Sequence, residues 1–195
     1  MLTFGLFFII LYMVIYLNFI QNIDYAVVEF MSGFFKNDFL DAVMPLITLL
    51  GEIGIFWIFC AVIMLTNKST RKIGATCTLS MIIDFISCNV LLKNLVARPR
   101  PDIIFWNENL IFAPHDWSFP SGHTAVSFAA AVAILLYNRK LGIPAVIIAT
   151  LIGFSRVYLC VHWFSDVFCG ALLGILCALL AYFVVKFITD KKAVD

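Results

Sequence analysis

Residues 165–188 read SDVFCGALLGILCALLAYFVVKFI, and the nineteen positions between Asp166 and Lys186 carry no charge. A helix needs about 20 predominantly apolar residues to cross the hydrocarbon core of a bilayer. This stretch therefore reads as a membrane span with a carboxylate at its entrance. The rest of the chain reads the same way: 63% of its 195 residues are hydrophobic, 20 of them Phe, only 13% are charged, and the mean hydropathy is +1.03. Those values lie outside the range of ordinary soluble domains. The net charge of +1 and the scattering of basic residues at segment ends speak against nucleic-acid binding.

Hydropathy divides the chain into about six spans, running roughly from Leu2 to Ile20, Val43 to Thr66, Ile73 to Leu95, Pro120 to Tyr137, Ile143 to Val161 and Ser165 to Ile188. The expected architecture is all-α, a single membrane-embedded domain over residues 1–195. The first span lacks the basic flank and small-residue cleavage site of a signal peptide and is read as a helix. The segment from Gln21 to Ala42 carries Asp24, Glu29, Lys36, Asp38 and Asp41; it is expected to lie along the interface as an amphipathic stretch.

Basic residues set the orientation. Lys68, Arg71 and Lys72, then Arg139 and Lys140, then Lys186, Lys191 and Lys192 fall on one side, which should be cytoplasmic. Trp106, Trp117 and Trp163 fall near the opposite boundary, where indoles favour the headgroup region. Compact length and the lack of glycosylation-rich loops point to a prokaryotic plasma membrane. The six cysteines, Cys60, Cys77, Cys88, Cys160, Cys169 and Cys177, have no metal-type spacing and read as buried free thiols.

Three blocks of ionisable residues sit at the outer ends of these spans, where charge is expensive and marks a functional candidate. In the first, Lys93 is followed after six residues by Arg100-Pro101. An Arg fork and a mobile ammonium can hold two sides of a phosphoryl group, although snorkelling to lipid headgroups explains the pair equally well in isolation. The second, Pro120-Ser121-Gly122-His123, opens a span. Free amides at a helix start favour an anion, the Ser121 hydroxyl adds a donor, and His123 projects nearby; a plain helix cap is the simpler account of this block alone. The third runs Ser155-Arg156, five residues, His162, three residues, Asp166. If the chain is helical from about His162, Asp166 lies one turn on, along the same face. A carboxylate there can orient the imidazole and leave its other nitrogen as a nucleophile; a purely structural pair is the alternative.

Taken together, eleven specified residues in three spaced blocks, covering Lys93 to Asp166, resemble the type 2 phosphatidic acid phosphatase (PAP2) family, whose relatives include the vanadium haloperoxidases. The three family signatures, Lys-x6-Arg-Pro, Pro-Ser-Gly-His and Ser-Arg-x5-His-x3-Asp, are intact here. The six-span pattern looks like the integral-membrane branch; the haloperoxidase branch is soluble and needs vanadate in the phosphate position.

The resemblance implies a metal-independent phosphatase that needs no cofactor. His162 would attack phosphorus to form a phosphohistidine, His123 would protonate the leaving oxygen, and Asp166 would hold His162 in its reactive tautomer. Lys93, Arg100, Ser121, Gly122 and Arg156 would bind the phosphate oxygens. Those roles require His162 to begin neutral and His123 protonated, although free histidines share a pKa of about 6.5.

The implied substrate is a phosphorylated membrane lipid handled at the outer face. Undecaprenyl diphosphate is favoured, with phosphatidylglycerol phosphate and phosphatidic acid as competitors. A phosphotransferase of the same fold, and a non-catalytic transporter or binding protein for phosphorylated lipid, remain as alternatives.

Among the other polar residues, Arg98 lacks the family spacing from Lys93 and is left outside the core site. Asp84 stands nine residues before Lys93, two and a half turns of an ideal helix, so the two are expected on nearly opposite faces and Asp84 in a packing role. Asp102, Glu108, His115 and Asp116 read as outer-loop residues. Gly170 and Gly174, with Ala125, Ala129, Ala130 and Ala133, are expected to serve close helix packing within the chain.

Overall fold

The computed structural model describes residues 17–101 and 116–191, and among them every regular element is helical. Residues 17–29 form α1, which relaxes into a π-turn at Phe30–Phe34. Asn37 then caps α2 (Asp38–Leu49), its side chain accepting from the Leu40 amide at 3.0 Å. α3 is Ile55–Thr66, and α4 spans Arg71–Val96 with a π-helical interior at Phe85–Leu92. α5 (Gly122–Tyr137), α6 (Arg139–Tyr158) and α7 (Phe164–Lys191) complete the bundle.

Small side chains decide where the helices meet. Ala125, Ala129, Ala130, Ala131 and Ala133 are fully buried on α5, which packs against α3, α4, α6 and α7. Without bulky groups the backbones come close enough for dispersion and interhelical hydrogen bonds to hold them. A Cβ on Gly174 would lie 2.3 Å from the Ala125 carbonyl oxygen, and one on Gly170 2.7 Å from that of Ser121. The Gly170/Gly174 pair is thus consumed by α5 inside the chain. Polar bonds add to the same seams: Trp57 Nε1 donates to Ser127 Oγ at 2.9 Å, and Ser80 Oγ donates to the Ala129 carbonyl at 3.0 Å.

The opposite face of α7 presents Phe168, Leu172, Leu176, Leu180, Phe183 and Phe187 to the outside. Large apolar groups outward and small ones inward is the pattern of a helix solvated by lipid. Among the described residues three helices, Arg71–Val96, Arg139–Tyr158 and Phe164–Lys191, are long and apolar enough to cross a membrane, and α5 is a shorter apolar helix.

Two expectations change. The span from Val43 to Thr66 is broken into α2 and α3, bent by 42° at Leu50–Gly54. Ile53 and Gly54 there adopt left-handed backbone with φ of 50° and 69°, and a Cβ on Gly51 would sit 2.8 Å from Ile152 Cγ2. The stretch from Gln21 to Ala42 does not behave as one interfacial segment. Its first part continues α1, and Asp24 is wholly buried against the rest of the bundle. Of the charges that argued for the interface, Asp24 is spent inside the protein, while Glu29 and Asp38 stay exposed. The span from Leu2 falls, up to residue 16, outside the described residues, as do Asp102, Trp106, Glu108, His115 and Lys192. All six cysteines are free.

Candidate active site

α4 ends where Ala97 turns left-handed, with φ of 47°. Arg98 and Arg100 each precede a proline, which biases both toward extended backbone, and in an extended chain alternate side chains share one side. Two contacts pin this segment: Ser118 N–H donates to the Arg98 carbonyl at 2.9 Å, and Trp163 Nε1 to the Pro99 carbonyl at 2.9 Å. Both guanidinium groups therefore enter the same cleft. Arg100 Nη1 lies 3.0 Å from His162 Nε2 and 2.5 Å from the Val161 carbonyl oxygen.

His162 is 1% exposed, in the turn between α6 and α7. A donor at Nε2 requires the lone pair to be there and the ring proton on Nδ1. Burial, followed by the charges of Arg100, Arg156 and Lys93, pushes its pKa well below the ordinary value. The imidazole is accordingly neutral at pH 7. Asp166 Oδ2 is 3.6 Å from Nδ1, too far for a hydrogen bond, because α7 begins at Phe164 and not at His162. The Ser118 hydroxyl fills the gap, donating to Asp166 Oδ2 and standing 3.4 Å from His162 Nδ1.

α5 supplies the second wall. Ala125 N is the first amide to bond within this turn, to the Ser121 carbonyl at 2.9 Å, so the Gly122 and His123 amides precede the helical ladder. Ser121 is fully buried, its hydroxyl 2.9 Å from Thr124 Oγ1 and its amide donating to the Asp166 carbonyl at 3.1 Å. His123 Nε2 faces Glu52 Oε2 at 3.2 Å. Glu52 stands on the break between α2 and α3, and no spacing rule in the sequence connects it with His123.

Arg156 is 2% exposed; its Nη1 donates to Thr48 Oγ1 at 2.7 Å, and its Nε has no partner among the described residues. A buried donor without an acceptor is costly, and an anion within reach would relieve it. Lys93 and Arg100 share one partner, the carboxylate of Asp116. Burial opposes ionisation of Asp116, but hydrogen bonds and charge from Lys93 and Arg100 outweigh it and bring its pKa to about 2. An acidic side chain thus occupies the space between the two cations.

A cavity of about 700 Å³ opens onto this corner. Lys93, Asp116, Gly122 and His123 stand among its lining, while Ile58 and Val62 represent its apolar walls. Asp84 lines it too, 1% exposed and with neither carboxylate oxygen hydrogen-bonded among the described residues. The opposite-face expectation for Asp84 and Lys93 fails because the intervening π-helix takes more residues per turn, bringing both toward one side.

Two further corrections concern Arg98 and Trp163. Arg98 belongs to the site: Nη1 donates to Asp166 Oδ1 at 2.6 Å and Nη2 to Asp24 Oδ2 at 2.6 Å. Motif spacing does not reveal it, whereas its own Arg-Pro pair, two residues before the motif's, is the available signal. Trp163 is 3% exposed, edge-on to Tyr25 at 5.0 Å, and does not face headgroups.

An all-helical bundle with lipid-facing helices, and with cations and histidines gathered at one end of an apolar cavity, defines a membrane-embedded class of phosphate-handling protein. The PAP2 superfamily model matches residues 71–190, and the chain belongs to that family. Phosphatidylglycerophosphatase B of Bacillus subtilis is 32% identical over 204 residues, covering 95% of this chain and 93% of that one. Undecaprenyl-diphosphatase BcrC of the same organism is 32% identical over 150 residues, 75% of each chain. Undecaprenyl-diphosphatase of Sulfolobus acidocaldarius is 40% identical over 121 residues, 60% of this chain and 58% of that one. The crystal structure of a PAP2-type phosphatidylglycerolphosphate phosphatase from Bacillus subtilis matches with a TM-score of 0.66 at 31% identity, covering 95% of this chain and 94% of that one. These relatives are membrane lipid phosphatases, and the chain is a phosphatase of their family.

Proposed function

We propose that the protein dephosphorylates an isoprenoid lipid diphosphate, undecaprenyl diphosphate in the first instance, through a phosphohistidine on His162 at the extracytoplasmic face. One observation carries the reading: the buried His162 presents its Nε2 to Arg100 beside the cations Lys93 and Arg156, next to an apolar cavity suited to a lipid chain.

The substrate phosphate displaces Asp116 from Lys93 and Arg100 and supplies an acceptor to Arg156 Nε. His162 Nε2 attacks phosphorus while the bridging P–O bond breaks, and His123 gives its proton to the departing lipid phosphate oxygen. Water then attacks the phosphohistidine, His123 takes up its proton, and inorganic phosphate leaves with the P–N bond broken. Catalysis consists mainly of positioning and charge stabilisation, as phosphoryl transfer demands. The names of the undecaprenyl-diphosphatase relatives support the isoprenoid diphosphate; phosphatidylglycerol phosphate and phosphatidic acid are its competitors.

The test is phosphate release by purified protein in detergent with EDTA, from undecaprenyl diphosphate, phosphatidylglycerol phosphate and phosphatidic acid, beside His162→Ala. Turnover is expected to be highest on undecaprenyl diphosphate and absent in the variant. Higher turnover on either glycerolipid reassigns the substrate, and turnover by His162→Ala overturns the mechanism.

A further inference from the structure

Asp24 lies on α1, outside residues 71–190 that the family model matches, yet it is wholly buried, and its hydrogen bonds among the described residues lead to the surroundings of Asp166. Its Oδ1 accepts from the Ser165 amide at 2.8 Å; its Oδ2 accepts from the Ser165 hydroxyl at 2.5 Å and from Arg98 Nη2 at 2.6 Å. Arg98 completes the link, with Nη1 donating to Asp166 Oδ1 at 2.6 Å and to Ser165 Oγ at 2.8 Å. Gln21 Oε1 takes a further bond from Nη2 at 2.8 Å, and the guanidinium carbon lies 5.4 Å from the Trp163 ring centroid.

We propose that Asp24 is a positioning residue for the reaction, holding Arg98 and Ser165 so that Asp166 and, through it, His162 stay in the attacking geometry. The proposal rests on the reading of His162 as nucleophile.

A single guanidinium is shared by two buried carboxylates. Without Asp24, Arg98 would be drawn fully onto Asp166, withdrawing negative charge from the imidazole that Asp166 supports. With Asp24 present, the cation is divided, and Asp166 Oδ2 is left to the Ser118 hydroxyl and the Trp163 amide at 3.0 Å. Asp24 also fixes the second residue of α7 from across the interface, where a carboxylate complements the exposed amides of a helix start. Every degree of tilt at that turn moves Asp166 relative to His162. Val28, fully buried one turn along α1, packs with Cys160 and Trp163 and places Asp24 at this height.

The test uses the full chain in detergent, with Asp24→Asn, Ser165→Ala and His162→Ala compared by phosphate release from undecaprenyl diphosphate across pH. Removing an orienting carboxylate outright costs about 10⁴-fold in kcat in triad enzymes; Asp24, acting one residue further out, is expected to cost about tenfold or more. KM should stay within about twofold, and the acidic limb of kcat/KM should move to lower pH. Ser165→Ala keeps every charge, and is expected to fold and to lower kcat about threefold at constant KM. Its result decides the matter even if Asp24→Asn does not fold: wild-type kcat and pH profile in Ser165→Ala overturn the proposal. A folded Asp24→Asn with unchanged kcat and limb overturns it as well. Failure of the underlying reading looks different, because His162→Ala then retains turnover.

Discussion

At the residue scale the proposed chemistry turns on two histidines in unlike surroundings. His162 is sealed, faced by Arg100, and neutral; His123 lies at the cavity and is met by the Glu52 carboxylate. Protonation of His162 abolishes its lone pair, so kcat/KM should fall with decreasing pH through its pKa. Burial and the three nearby cations depress that pKa, so the acidic limb is expected below pH 6.5. Arg100→Gln removes one of those cations, and its limb is expected to move up toward 6.5 along with a higher KM. A limb already at or above 6.5 in the wild type would contradict the neutral nucleophile. Lys93, Arg100, His162 and Asp166 were legible from type and spacing. Asp24 and Glu52 were not, since each reaches the site from a segment outside the three blocks, and Ser118, two residues before Pro120, has no spacing rule that ties it to His162.

Elements are set by what their faces must touch. α7 turns Gly170, Gly174, Ala178 and Ala181 inward and its Phe and Leu residues outward, the reverse of a helix in a water-soluble core. Gly174→Leu would drive a side chain into the Ala125 carbonyl and the Ala129 amide, 2.3 and 2.8 Å from a Cβ. Overpacking of this kind costs about 1 to 3 kcal/mol. The variant should show a lower Tm in detergent than Leu176→Ala, which alters the lipid-facing side of the same helix; equal Tm values would contradict the α5–α7 packing. The π-helical segment of α4 works at the same scale. Ordinary helical spacing between Asp84 and Lys93 predicts opposite faces, and the wider turns at Phe85–Leu92 carry both to the cavity. Hydrophobic periodicity cannot register such a change of pitch, because every residue between them except Ser87, Cys88 and Asn89 is an apolar Phe, Ile, Val or Leu.

Across the whole molecule, the basic loop clusters and the candidate site separate to opposite ends. Thr76 Oγ1, just beyond Arg71 and Lys72, lies 3.1 Å from Tyr137 Oη; Tyr137 meets Tyr182 at 5.1 Å, and Lys186 lies over that ring at 5.9 Å. The basic clusters therefore gather at the end remote from His162. With positive charge retained inside, a cysteine placed at Asn67, in a variant lacking the six native thiols, should resist a membrane-impermeant maleimide in intact cells and react after permeabilisation. Reaction in intact cells would place the catalytic end in the cytoplasm. Residue composition by itself determined that the solvent is a bilayer, because runs such as residues 167–185 have no other stable environment. Three blocks of ionisable residues likewise determined the phosphate chemistry, since their types and spacings are local properties of the chain. The closing of the site was decided only by tertiary structure. Asp24, Glu52, Arg98 and Asp116 acquire their partners from helices and turns distant in sequence, and a charge buried by folding finds its counter-ion through packing, which one-dimensional spacing does not encode.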